Sequence, residues 1–174
     1  MAMLPPPVPL PELKTISETI GVDGESNSIS FTVAYAPRAL RRSKFVLSRM
    51  YAVNPDSKHL VVFKQLLKNS FKEGTSFPYY SSKDTPIYLA ITFRCRRPNS
   101  HFVNANRTNR IKPRFATAVP TKMDVDNMVK FVMDAAYTVI YHDDRHVAFL
   151  LANKVYHKDA TSIGTITVAV NVVT

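Results

Sequence analysis

The sequence predicts an α/β (α+β) domain: a mixed β-sheet with two main helices. Three observations predict it. Period-two alternation marks strands, three-to-four spacing of apolar residues marks two helices, and the two kinds interleave as strand, helix, strand, helix, strand, strand.

The first strand is Ser28 to Ala36, where Ile29, Phe31, Val33 and Tyr35 alternate with Ser30, Thr32 and Ala34 until Pro37 ends the run. The first helix runs from Lys58 to about Lys72, capped by Asp56 or Ser57 and stopped by Gly74. Its stripe is Leu60, Phe63, Leu67 and Phe71, with Lys58, Lys64 and Lys68 outside it. Thr85 to Cys95 is apolar enough for a central strand. Asp124 opens the second helix, where a short acceptor at the N-cap satisfies an orphan amide, and Val125, Met128, Val129, Val132, Ala136 and Val139 form the buried stripe. Arg145 to Tyr156 and Gly164 to Val173 close the domain as two strands, read as a hairpin around Lys158-Asp159-Ala160-Thr161. Residues 1–27 carry Pro5, Pro6, Pro7, Pro9 and Pro11 and read as a disordered, proline-rich tail, leaving 28–174 as the domain.

Charge narrows the function. The chain has 174 residues, a net charge of +10 and a pI near 9.8. Such a balance attracts nucleic acid or an anionic membrane. No apolar run approaches the ~20 residues of a membrane span, and no basic amphipathic helix has a broad apolar face. Nucleic acid is therefore the expected partner, with no membrane contact. The tail holds Glu12, Glu18, Asp23 and Glu25 against Lys14 alone. It resembles neither a basic transit peptide nor a signal peptide, so a cytoplasmic, DNA-associated location is expected.

The single cysteine, Cys95, excludes an internal disulfide and a cysteine-based zinc site. It lies in an apolar run and reads as a buried structural thiol. His142, His146 and Cys95 are not at zinc-ligand spacing.

Two basic stretches stand out. Arg38, Arg41, Arg42 and Lys44 follow the first strand in a loop. Residues 96–122 hold Arg96, Arg97, Arg107, Arg110, Lys112, Arg114 and Lys122 and no acid. Four asparagines and three prolines there leave room only for a short strand such as Phe115 to Val119. A loop this long in a compact domain is usually functional or disordered. Its unbalanced charge favours an arm that contacts DNA phosphates.

Against this background, five of the 13 acidic residues lie between positions 124 and 144. Taken singly they have structural readings: Asp124 as a helix cap, Asp126, Lys130 and Asp134 as an i, i+4, i+8 ladder, Asp143-Asp144 as a turn. Taken together on a basic chain, two close carboxylate pairs form a hard-oxygen site for Mg²⁺ or Mn²⁺. A helix from Val125 to Ile140 would span about 24 Å. The second pair reaches the first only if the chain runs back antiparallel or if two protomers share the site.

The pattern Asp124-x-Asp126-Asn127-x-x-Lys130-x-x-x-Asp134-Ala135, then Asp143-Asp144-x-x-Val147 and Lys154, closely resembles the RusA family of Holliday junction resolvases. The resemblance covers roughly residues 28–174 and is strong over 122–154. It implies a RusA-like, homodimeric, magnesium-dependent endodeoxyribonuclease acting on four-way branched DNA. It makes Asp124, Asp126 and Asp144 the essential metal-binding carboxylates, Lys130 the catalytic-site lysine, and Asp143 and Asn127 neighbours of the site, with Asp143 added to the candidate metal ligands and Asp134 placed beside Asn127. The chain departs from the family at Thr138, where a glycine is common, and at His146, where glutamine is common.

On this reading, paired phosphodiester hydrolysis resolves the junction, with the basic loops gripping phosphates and so recognising shape rather than base edges. Two rivals stand beside it: a non-catalytic nucleic-acid-binding module on the same fold, and a nuclease for flaps or forks.

Overall fold

A computed structural model describes residues 28–46, 51–76, 78–80, 86–104 and 109–173. The proline-rich tail lies outside the described residues, as does Arg107. Two layers make the domain. A four-stranded sheet has the order β1 (Ser28–Val33), β6 (Gly164–Val172), β4 (Ile87–Cys95), β5 (Val147–Tyr156). Helices α1 (Ser57–Asn69) and α2 (Val125–Ala136) pack on one face. A separate two-stranded ribbon joins β2 (Lys44–Val46) to β3 (Tyr51–Val53). Lys44, expected in the loop after the first strand, instead begins this ribbon.

Alternation decides which face is covered. Ile29, Phe31 and Val33 of β1, Ile87, Leu89, Ile91 and Phe93 of β4, and Ile166, Val168 and Val170 of β6 are all buried. They meet Phe63, Leu66 and Leu67 from α1 and Met128, Phe131, Val132 and Ala135 from α2 in one core. Phe63 and Phe131 join the two helices, with ring centroids 5.4 Å apart. The other sheet face carries hydroxyls, including the Thr32–Thr167 hydrogen bond at 2.8 Å and Arg94 Nη1 donating to Thr167 Oγ1 at 2.7 Å.

The connections correct several expectations. β4 pairs with β6 antiparallel and with β5 parallel, so β4, α2 and β5 form a crossover unit. β5 and β6 are not a hairpin, because β4 lies between them. The wedge is tight where β6 begins: a Cβ on Gly164 (φ +109) would come within 2.7 Å of the Arg94 carbonyl oxygen and of Pro37. The first helix ends at Asn69, short of Gly74. The second ends at Ala136 rather than near Ile140, because Tyr137 turns extended and Thr138 adopts φ +62. Phe115 belongs to a 3₁₀ turn, Pro113–Phe115, and not to a strand.

The described residues of the 96–122 stretch are folded rather than loose. Phe102 is 1% exposed and bridges to Ile111, Val103 N donates to the Arg110 carbonyl, and Lys112 N donates to that of His101.

Candidate nuclease site

The acids sit at the two ends of the crossover helix. Asp124 occupies the N-cap position in extended backbone, yet its side chain makes no capping hydrogen bond. The cap role expected of it is thus unfilled, and the carboxylate is not spent on the helix. Asp126 is exposed in the first turn, where the helix dipole favours a negative charge. Lys130 and Asp134 are exposed one and two turns further along. Among the described residues, the ion pairs join Asp56 to Arg38 and Arg41, and Asp143 to Arg145. None links Lys130 to Asp126 or Asp134, so the expected ladder is not closed.

The N-terminal end of α2 meets the C-terminal ends of the two parallel strands. Lys154 on β5 donates its ammonium to the Met123 carbonyl, which fixes the chain immediately before Asp124. Across the same end, Leu40 N donates to the Asn127 carbonyl at 2.9 Å. The segment after β1 therefore runs over the first turn of α2. Neither contact was anticipated from sequence; the lysine is visible in the motif, but its partner is a backbone oxygen.

The second acid pair lies at the other end. Asp143 accepts from Arg145 N at 3.1 Å as the cap of a 3₁₀ turn, Asp144–His146, that leads into β5. That amide, with the Asp144 side chain, Arg145 and His146, holds the Asp143 carboxyl below the usual carboxylate range. Burial raises the pKa of Asp134; Lys130 opposes the rise and Asp144 adds to it. Asp134 and Asp144 are thus close enough to sense each other. Tyr141 donates to the Met133 carbonyl beneath them, and burial, then both acids, raise its phenol.

Within the chain, Asp134, Asp143 and Asp144 therefore lie toward one end of α2, and Asp124 and Asp126 at the other. The helix rise from Asp126 to Asp134 is about 12 Å, and β5 from Val147 to Lys154 adds about 23 Å of strand on the far side. Among the described residues, no three His, Cys, Asp or Glu side chains gather so as to hold a metal ion. The donor chemistry suits a hard divalent cation, while the geometry within one chain does not.

The family of endodeoxyribonuclease RusA matches residues 34–169, which takes in both acid pairs, Lys130, Lys154, both helices, β4, β5 and the first part of β6, and begins just past β1. The chain belongs to the RusA family. It matches none of the curated proteins. RusA membership makes it a member of an endodeoxyribonuclease family that acts on Holliday junctions.

Within this RusA chain the basic residues divide. Arg42, Arg96, Arg110, Arg114 and Lys122 are exposed. Arg114 lies over the Phe115 ring at 4.7 Å, and Lys112 donates to the Ser100 carbonyl. Lys44 begins β2. Arg97 departs from its expected role as a phosphate contact. It is 4% exposed, lies 5.1 Å over the Tyr156 ring, and donates to the carbonyls of Phe115 and His157. Arg41 gives much of its guanidinium to the buried Asp56, and Arg38 sits 3.7 Å from the same carboxylate. Asp56 stands at the N-cap position of α1 without a capping bond, its oxygens already taken by Arg41. Cys95 is buried, and burial raises its thiol pKa. Among the described residues, no helix is long and apolar enough to cross a membrane.

Proposed function

We propose that this chain is a Mg²⁺- or Mn²⁺-dependent endodeoxyribonuclease that resolves four-way DNA junctions as a homodimer by paired cuts. One observation carries the reading: the uncapped Asp124 and the exposed Asp126 stand where α2 meets the C-terminal ends of β4 and β5, beside Arg96 and Lys122. Crevices outside the carboxyl ends of parallel strands are where ligands bind in open α/β sheets.

A second copy answers the separation of the acids. β5 is an edge strand carrying Phe149 (57% exposed), Leu150 (47%) and Leu151 (56%). An exposed apolar edge invites pairing. Antiparallel pairing of two such edges across a two-fold axis sets the start of one β5 against the end of the other. Asp144 of the partner subunit would then approach Asp124, Asp126 and Lys154, completing a three-carboxylate set at each end of the joined sheets.

When bound there, the metal supplies an activated water and neutralises charge on the scissile phosphate. The chain's own groups do the rest. Asp124, Asp126 and the partner subunit's Asp144 would hold the ion, with Asp143 alongside and Asn127 and Asp134 supporting. Lys130 would face charge that builds on the phosphate oxygens, and Lys154 would keep Asp124 in place through the Met123 carbonyl. Arg42, Arg96, Arg110, Lys112, Arg114 and Lys122 would contact phosphates of the arms.

The rival reading, a non-catalytic module on the same fold, draws on the separation of the acids within one chain. One assay separates them. Labelled junction, flap and linear duplex are incubated with Mg²⁺ or EDTA, using wild type and Asp126→Asn. Symmetric junction cuts that need Mg²⁺ and vanish in Asp126→Asn, with junction binding as tight or tighter, support the nuclease. Cutting of Asp126→Asn at the wild-type rate in saturating Mg²⁺ removes the assigned site, and binding without any cutting leaves the module. Preference for the flap would reassign the substrate.

A further inference from the structure

Next to the candidate site is a cavity of about 360 Å³ that the proposed hydrolysis does not use. Its walls are Pro98, Pro120, Met123 and the ring of Tyr156; Arg96 and Lys122 stand exposed among the lining residues. Three of its lining residues are cations and none is an acid.

The Tyr156 ring is held in place from two sides. The buried Arg97 guanidinium lies over it at 5.1 Å, tied by its own bonds to the Phe115 and His157 carbonyls. His101 meets it edge-on at 5.3 Å, and is itself stacked on Phe115 at 4.0 Å. The Met123 part of the wall is pinned too, since Lys154 holds the Met123 carbonyl. An interior of flat apolar groups behind exposed cations matches one kind of ligand: a planar, weakly polar ring joined to an anionic backbone. A free phosphate would find few polar partners inside, and an apolar peptide would gain nothing from the cations.

We infer that this cavity takes one unstacked nucleobase of the DNA, stacked on Tyr156, with the flanking phosphates on Arg96 and Lys122. The inference rests on the junction-binding reading above. Extruding a base costs less where its stack is already broken than inside a continuous duplex, and at the crossover of a branched DNA each arm's last pair lacks a continuous neighbour. Met123 adjoins Asp124 in the chain, so the captured base would lie close to the phosphate to be cut. The pocket would thereby set which nucleotide stands beside the scissile bond.

The test uses the full chain in EDTA, where nothing is cut. Junctions carry 2-aminopurine, or an abasic nucleotide, at each position flanking the crossover in turn. One position should brighten on binding, and an abasic nucleotide there should weaken binding about tenfold, the scale of one base–aromatic stack. Tyr156→Leu should lose about the same tenfold on the intact junction and lose nothing more on the abasic one; Tyr156→Phe should behave as wild type. The wild-type measurements stand even if Tyr156→Leu fails to fold. Tight junction binding with no brightened position, or Tyr156 and abasic losses that simply add, overturns the pocket and leaves the nuclease intact. A protein that binds no branched DNA overturns both.

Discussion

Asp56 shows how much a single buried carboxylate organises. It is fully buried, accepts from the Arg41 backbone and guanidinium, and so ties the segment after β1 to the start of α1. Burial alone would raise its pKa, but the Arg41 hydrogen bonds and the charges of Arg41 and Arg38 outweigh it and hold the carboxyl below its ordinary value. Asp56→Asn removes the charge and leaves imperfect acceptors. It should lower the unfolding free energy by roughly 2–3 kcal/mol, read from urea midpoints. The sign with pH follows from the depressed value. The stabilisation is complete above the unfolded pKa of about 3.9 and fades as pH falls through the lower folded one, so the gap between wild type and variant should narrow only in acid. Thr138 makes the opposite case. A β-branched residue at φ +62 is strained, and its hydroxyl's bond from Lys64 is only partly buried. Thr138→Gly should raise stability by about 0.5–1 kcal/mol in the same titration; an unchanged or lower midpoint would mean that the Lys64 bond outweighs the strain.

At the scale of elements, what the sequence disclosed was local. Alternation gave β1 but ran it on to Ala36 where the strand ends at Val33, apolar content gave β4, and β6 ends one residue before the expected Val173. The stripe of α2 gave Met128, Val129, Val132 and Ala136 but also took in Val125, which is 37% exposed. Phe131 and Ala135 escaped it because α2 is buried over a wider arc, against both the sheet and α1. The β5–β6 hairpin was misread because nearness in the chain says nothing of pairing; the register of β4 with both strands places it between them. The acids were legible as a motif, and so was their separation along the second helix; what the parallel β4–β5 pairing adds is that Asp124 and Asp126 lie at the C-terminal ends of those strands. Arg97 looked like every other cation in its loop, since burial against Tyr156 leaves no trace in local composition. The exposed side of α2 carries the next prediction. Lys130 makes no ion pair among the described residues, so its structural worth is at most that of an i, i+4 pair, about 0.5 kcal/mol. Lys130→Ala should therefore leave the melting transition nearly in place while raising the barrier to cleavage by about 2–4 kcal/mol in single-turnover kinetics. A variant that melts early but cuts normally would make Lys130 a structural residue.

The whole molecule is incomplete as one chain if the acids act together. A single protomer keeps Asp124 and Asp126 at one end of α2 and Asp144 at the other, and its apolar β5 edge is uncovered. The proposed pairing of two β5 edges would answer both features. If each site draws Asp126 from one protomer and Asp144 from its partner, the two defects should complement. Asp126→Asn alone and Asp144→Asn alone would each spoil both sites of their homodimers. In a mixed dimer, one site would collect both substitutions and the other would collect neither. Unfolding and refolding an equimolar mixture should thus restore cutting in up to about half of the molecules, by the statistics of two-fold pairing. The product should be a junction nicked on one strand rather than resolved, because only one of the paired sites is whole. Charging the edge with Phe149→Lys and Leu151→Lys in both partners should abolish this rescue and leave a monomer in sedimentation. If the mixture stays as inactive as its parents while sedimenting as a dimer, the carboxylates do not combine across the interface, and each site is left with Asp124 and Asp126 of its own chain, since the helix holds its two ends about 18 Å apart.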